Sequence, residues 1–424
     1  MGTLPSVLCK DTQIEPSKIP ETIEGPRLVV LVCGGSHGAH TASGLAASRN
    51  DTEARVLTLY KDEAKRWTKA MRRHNFTVEV TENNGKSTKI IAKPTIVSND
   101  PEAVVPGAHV IIFSMPAFAH PVYLEAIEPH LKPGTVIVGM PGKPGFEFQC
   151  LDILKDKARS CVIMSLETLP WATHILEYGC KVKIFATKAS VQTSIISGKS
   201  HPEADPLGSM QRVLGNKPFL KQTNSYLEIY LSSKSVVHPP IMYGTWKDWD
   251  GQPVDVVPLF YQGVNEVAIK YLFGVAGELV ATALAFKQQH PGLIMSRVIP
   301  LLDWYRHTYA DDIKDNRDLW SCLLTNTAYD GLYHPMIEKG RQFMPDFEHR
   351  YLVEDVPNGL VVTKGLALIA GVKTPHTDEV LLWCQKTMGK EYLVDGKLTG
   401  KDIQETRCPQ RYGYNTIDDL VSFL

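Results

Sequence analysis

Leu28-Val-Val-Leu-Val-Cys33 runs directly into Gly34-Gly35-Ser36-His37-Gly38-Ala39-His40, and a helical pattern begins at once over residues 39–48. The six apolar residues, half of them β-branched, have the length of a buried strand. A strand that turns tightly into a helix through bare backbone lets main-chain amides and the helix N-terminus approach a pyrophosphate, which is the physics of dinucleotide binding. The match to G-x-G-x-x-G/A is a variant one. With Gly34 and Ala39 in the first and last positions, Ser36 stands where a second glycine usually permits close approach. Gly34, Gly35, Ser36, His37, Gly38 and Ala39 are therefore the candidate cofactor contacts. A strand predicted over residues 55–59 should end beside the adenosine ribose. The following Tyr60-Lys61-Asp62 offers both a carboxylate for the ribose hydroxyls and a cation for a 2′-phosphate, which leaves NAD and NADP open at this point.

Outward from this turn, short β-branched runs alternate with amphipathic stretches, the rhythm of a parallel sheet covered by helices. Strands are predicted over residues 28–33, 55–59, 110–113, 136–138, 161–164 and 182–185, with helices over 39–48, 62–74, 122–130 and 146–155. Alternating segments at 77–81 and 89–92 flank Asn83-Asn84-Gly85, a hairpin signal set into the αβ pattern. Beyond about residue 225 helical spacing takes over, most clearly across 264–289. The expected architecture is α/β, an N-terminal Rossmann-type doubly wound parallel sheet with a second, mainly helical C-terminal domain. The boundary falls between Asn224 and His238, giving a loose extension at 1–26, a cofactor domain at 27–228 and a helical domain at 229–424. Gly2 and Ser6 formally match the myristoylation pattern, but the proline-rich extension carries no signal-peptide segment.

The balance of 45 basic against 46 acidic residues in 424 gives no basic field for nucleic acid or anionic lipid, so small-molecule chemistry is favoured. Eight scattered cysteines without a C-x-x-C pair read as core thiols of a reducing compartment, with no metal site expected. Uninterrupted apolar runs are far shorter than the roughly 18 residues of a membrane span.

Chemically useful groups concentrate in a few segments. Ser114-Met-Pro-Ala-Phe-Ala-His120 follows a strand at the carboxyl edge of the sheet, where open α/β folds bind ligands, although His120 is at least as well explained as a structural residue. Lys143 in Met140-Pro-Gly-Lys-Pro-Gly-Phe146 and Glu167 in Leu166-Glu-Thr-Leu-Pro-Trp171 follow the next two strands. In the helical half, His238 in Val236-Val-His-Pro-Pro240, with Arg350 and Asp355 in Arg350-Tyr-Leu-Val-Glu-Asp355, supply a proton shuttle, a carboxylate grip and a tautomer-fixing acid. Composition alone does not pair them, since buried Arg–Asp pairs also hold helices together.

Taken together, GGSHGAHTASGLAASR (34–49), PAFAHPVY (116–123), ETLPWA (167–172), VVHPPIMYGTW (236–246), PLFYQG (258–263), RYLVEDVPNGL (350–360) and GKEYLVDGKLTGKDIQETRCPQRYGYNT (389–416) make the chain resemble the opine dehydrogenases of marine invertebrates. The resemblance spans residues 28–419. It implies a cytoplasmic enzyme that joins an amino acid's amine to the keto carbon of pyruvate and reduces the imine with NADH, regenerating NAD for anaerobic glycolysis. It further implies His238 and Asp355 as the catalytic pair, Arg350 on the pyruvate carboxylate, Glu167 and Trp304 on the amine, and Tyr60 beside the cofactor. The loop at 141–144 and Thr173 depart from the arginine-using pattern. If Lys143 faces the amine it repels a guanidinium and attracts a sulfonate, which favours taurine, alanine, glycine or β-alanine. A monomer is expected, with NADPH kept open by Lys61. Two alternatives stand beside this reading: another NAD(P)-linked 2-oxo or 3-hydroxy acid reductase on the same plan, and a dinucleotide-binding redox sensor without chemistry.

Overall fold

The computed structural model describes residues 27–81, 87–202 and 204–422. The segment 1–26, with its myristoylation pattern, and the Asn83-Asn84-Gly85 hairpin signal lie outside these residues. The main sheet is built from β1 (Leu28–Cys33), β2 (Thr52–Leu57), β5 (Ile96–Ser98), β6 (Val110–Phe113), β7 (Val136–Gly139), β8 (Val162–Leu166), β11 (Ser190–Ile196) and β12 (Phe219–Gln222). A second sheet holds β3 (Thr77–Thr81), β4 (Ser87–Ile91), β9 (Trp171–Glu177) and β10 (Lys181–Thr187).

The main sheet runs β12-β11-β8-β7-β6-β1-β2-β5. The six strands from β8 to β5 are all parallel, and β11 joins β8 antiparallel. Chain order reverses between β1 and β6, so the carboxyl ends of these two strands open a crevice at a topological switch point. Strands β1, β6, β7 and β8 are buried along nearly their whole length, which is why they read as continuous apolar runs rather than alternations.

The segment read as a sixth parallel strand, 182–185, belongs elsewhere. It is part of β10, which pairs antiparallel with β9 and parallel with β3, and joins the antiparallel pair β3 and β4 in the separate four-stranded sheet. That sheet covers the helix His37–Ala47, whose nine buried residues fill the space between the two sheets. Stacking of His40 on Trp67 (centroids 3.7 Å apart) and the bond from Gly179 N–H to His40 Nε2 (3.0 Å) fix the junction.

The opposite face of the main sheet shares one apolar core with the helical domain. The helix Tyr226–Leu231 is buried throughout and straddles the 228/229 boundary. The 24-residue helix Glu266–Gln289 is, among the described residues, long and apolar enough to cross a bilayer. Here it is a core helix. It packs against His238–Trp246, Val361–Ala370 and Pro375–Thr387, and its Glu278 accepts bonds from His376 and Thr377 amides and from the Thr377 hydroxyl.

The C-terminal segment returns to lock the two halves. The Arg407 guanidinium is fully buried and donates to the carbonyls of Gly142 (2.9 Å) and Ala117 (3.0 Å), to Gln149 Oε1 (2.6 Å) and to His120 Nδ1 (2.9 Å). His120 is thus a structural acceptor, and burial with the neighbouring Arg407 charge holds its imidazole far below the ordinary histidine range.

Candidate active site

The glycine turn lies at the crevice. Gly34 has φ +105°, and a Cβ there would come within 3.1 Å of the Ser114 carbonyl and 3.2 Å of Met115, so the position is glycine's by both conformation and space. Ser36 occupies the unusual position for a local reason: its Oγ accepts from Ala39 N–H (3.1 Å), capping the helix, and donates to Ser114 O (2.6 Å), tying the β1 turn to the β6 turn. A Cβ at Gly38 would strike Ser114 Oγ and Leu169. His37 is turned toward the second sheet, where its Nδ1 accepts from Ile175 N–H (3.0 Å). Burial, then the adjacent His174 ring, lower its proton affinity.

A glycine turn and a helix N-terminus fit a dinucleotide diphosphate. Glu63, which the sequence reading passed over, completes the cradle. A Cβ on Gly35 would run into its carboxylate, and that carboxylate is held by the Thr58 hydroxyl at the end of β2. A carboxylate here can accept from ribose hydroxyls and repels a 2′-phosphate, which favours NAD. The signal was one residue beyond the tripeptide considered. Tyr60 and Lys61 themselves face solvent.

At the same carboxyl edge of the sheet, where Lys143 follows β7, residues from both domains form a hydrogen-bonded chain. His238 opens its helix immediately before Pro239 and Pro240, which have no N–H to lose in a first turn. Its Nδ1 is 2.6 Å from Asp355 Oδ2, and its Nε2 is 2.8 Å from the Tyr261 hydroxyl. A carboxylate only accepts, so Nδ1 carries the proton and Nε2 accepts from Tyr261. The Tyr351 ring stacks on the imidazole at 3.9 Å and 13°, fixing its plane. The other oxygen of Asp355, Oδ1, accepts from Lys143 Nζ (2.8 Å), which also donates to Ser235 Oγ (3.0 Å). Burial alone would raise the Asp355 pKa, but the Lys143 charge and the His238 bond outweigh it and hold the carboxyl below its usual range. Asp355 therefore stays ionised across neutral and mildly acidic pH, and loses its charge only as pH falls through that lowered value.

Arg350 lies one helical turn before Asp355, its side chain 59% exposed, with Nη2 2.8 Å from Glu354 Oε2. Glu354 is buried and accepts from Ala117 N–H through Oε1 (3.0 Å), which docks this segment on the loop after β6. Lys143 is not an unpaired positive end for a sulfonate, because its charge is matched by Asp355. Thr173 does not join the cluster. It lies on β9, where its hydroxyl donates to Lys183 O (2.8 Å) and meets the Thr41 hydroxyl (2.7 Å), joining the second sheet to the first helix.

Glu167 follows β8, its Oε1 accepting from Gln192 N–H (3.1 Å). Burial raises its pKa, opposed by that bond and by Lys234, Lys188 and Arg297. Lys234 Nζ lies 4.2 Å from the centroid of the Trp304 ring, and burial pushes its pKa down to about 8 against the pull of Glu167. Glu167 and Trp304 are thus linked through a cation that the sequence reading did not single out.

A Rossmann-type sheet with a diphosphate cradle at its switch point, closed by a helical domain that contributes a carboxylate-held histidine, defines a two-domain NAD-linked dehydrogenase. Residues 222–388 match the model of the NAD/NADP octopine/nopaline dehydrogenase alpha-helical domain. The chain is 55% identical over 402 residues to an opine dehydrogenase of Haliotis discus hannai, covering 94% of this chain and 99% of that protein. A tauropine dehydrogenase of Arabella iricolor is 44% identical over 396 residues, covering 93% and 100%. Octopine dehydrogenase with NADH and L-arginine superposes with a TM-score of 0.89 at 46% identity, covering 93% of this chain and 98% of that one. Its complex with NADH and pyruvate gives 0.87 at 45%, with the same coverage. The chain belongs to the opine dehydrogenase family and is an NAD-dependent oxidoreductase.

Proposed function

We propose that this enzyme condenses pyruvate with the amino group of a small amine bearing an anionic end, such as taurine or β-alanine, and reduces the product with NADH to a secondary amine. The observation that carries the chemistry is the His238–Asp355 pair, 2.6 Å apart, with the exposed Arg350 one turn away. The chemistry needs a carboxylate grip, a base to free the amine and an acid to expel water. Arg350 holds the pyruvate carboxylate with parallel bonds. His238 takes a proton from the substrate ammonium, whose nitrogen then adds to the keto carbon. The imidazolium, stabilised by Asp355, returns that proton to the carbinolamine hydroxyl, which leaves as water while the nitrogen lone pair closes the C=N bond. Bound NADH supplies the hydride that reduces it. The enzyme works as a cytoplasmic monomer in this reading, and its turnover returns NAD to anaerobic glycolysis.

Arg350→Ala is expected to raise the KM for pyruvate roughly thirty-fold, the loss of about 2 kcal/mol of charge-assisted hydrogen bonding. Arg350→Lys should recover part of this, since an ammonium supplies charge without the fork. A pyruvate titration at saturating amine checks both.

The amine preference is supported by the charges around Glu167. Glu167 and Trp304 line the amine end in this reading, and the three cations Lys234, Lys188 and Arg297 outnumber the two carboxylates Glu167 and Glu228, the latter beside Arg297. A guanidinium would add a fourth positive charge, whereas a sulfonate or distal carboxylate is attracted. A panel of arginine, taurine, alanine, glycine and β-alanine, read by NADH consumption with pyruvate, should rank taurine and β-alanine first. Arginine ranking first would overturn the preference. Lys234→Met is expected to raise the KM for taurine roughly tenfold at pH 7. Because Lys234 loses its charge as pH rises through about 8, the ratio of variant to wild-type KM should shrink above that pH.

A further inference from the structure

We propose that Lys143 is a positioning residue that holds Asp355 ionised, shares its charge, and thereby sets how readily His238 releases its proton. The inference rests on the reading above that His238 carries the proton chemistry.

Three observations carry it. Asp355 has one oxygen for each cationic partner, Oδ1 2.8 Å from Lys143 Nζ and Oδ2 2.6 Å from His238 Nδ1, and its side chain is only 3% exposed. Little water reaches the carboxylate, so what it gives to one partner is not offered undiminished to the other. Next, the lysine is held in a conformation that L side chains avoid, with φ +62°, in a place where glycine or asparagine would be the relaxed choice. Finally, its loop is clamped from three sides. Gly142 N–H donates to Leu166 O (3.3 Å), Gly142 O accepts from the buried Arg407, and Ser235 Oγ takes the second bond of the ammonium. Solvent exposure would not call for this anchoring.

The electrostatic consequence has a definite sign. With Lys143 present, the Lys–Asp–His group is neutral when the imidazole is neutral and carries one positive charge when it is protonated. Without the lysine charge, the protonated imidazole and Asp355 form a neutral buried pair, which strengthens the hold on the proton. A histidine gripped by an unshared buried carboxylate would part with its proton reluctantly during water expulsion. Lys143 loosens that grip while leaving Asp355 to fix the Nδ1–H tautomer. The other groups facing the imidazole are Tyr261 on Nε2, Tyr351 stacked on its face, and His349 and Arg350 at the start of the helix that carries Tyr351. None of them contacts Asp355 Oδ1 in place of the lysine.

The test compares Lys143→Gln, Lys143→Met and Lys143→Arg in the full chain. It reads the His238 imidazole resonances against pH by NMR and the pH profile of kcat/KM. Glutamine keeps a hydrogen bond to Asp355 without the charge. Both neutral variants are expected to move the titration midpoint and the matching limb of the profile to higher pH, by about one unit. Lys143→Arg should return both toward wild type. If Lys143→Met does not fold, Lys143→Gln carries the test alone. An unmoved or lowered midpoint in a folded Lys143→Gln protein overturns the proposal. The imidazole titration needs no turnover, so failure of the coupling and failure of the pyruvate–amine reading give different results.

Discussion

His238→Ala is expected to lower kcat by about 10²- to 10⁴-fold with pyruvate and the preferred amine, the usual contribution of a positioned general acid–base. NADH affinity and the thermal unfolding midpoint should stay near wild type. The imidazole is partly exposed, and after its removal the buried Asp355 carboxylate keeps its bond from Lys143 Nζ, so no buried charge is left without a partner. A large loss of kcat with intact cofactor binding separates a role in chemistry from one in folding. Near-full turnover in the folded variant would remove His238 from the mechanism.

Arg407→Met should have the largest effect on stability. Arg407 is 1% exposed, and its removal takes the donor from the Gly142 carbonyl, the Gln149 amide oxygen and the His120 imidazole, while the Ala117 carbonyl keeps only the bond from His120 N–H. Unpaired buried acceptors cost about 1–3 kcal/mol each, and partial relaxation brings the expected sum to roughly 3–5 kcal/mol. The loss is also functional, because Gly142 precedes Lys143, and Ala117 is the residue on which Glu354 docks. The expected outcome is an unfolding midpoint well below wild type, together with reduced kcat at temperatures where the variant is still folded. Denaturant unfolding followed by near-UV circular dichroism checks the first, and an assay at low temperature the second.

What could be read from sequence was what is decided locally. The β1 turn is such a case: a buried strand, a glycine at positive φ and a helix all lie within twenty residues. The helices at 63–73, 146–154 and 266–289 were likewise visible in their apolar spacing. Sheet membership was not, because the alternation in β10 announces a strand but not which strand it will pair with, and the 182–185 segment was placed in the wrong sheet for that reason. The site divides the same way. His238 and Asp355 are 117 residues apart and Lys143 is 212 from Asp355, so no spacing rule joins them. The resemblance suggested the first pair but not the second. Tyr261 and Tyr351 are ordinary aromatic residues until the fold puts one on Nε2 and the other on the ring face. Arg407 lies in a charged, loop-like stretch whose composition gives no sign that its guanidinium will be sealed between two domains. Glu63 and Lys234 were missed by a narrower margin, each adjoining a segment already under consideration.

The central claim is that one active site couples an amine, pyruvate and NADH. It is tested most directly by following NADH consumption with pyruvate alone, amine alone and both together, with mass analysis of the product. The account predicts that oxidation requires both substrates, and that each NADH consumed yields one secondary amine carrying the pyruvate carbons. NADH oxidation by pyruvate alone, with a 2-hydroxy acid as product and no dependence on the amine, would contradict it.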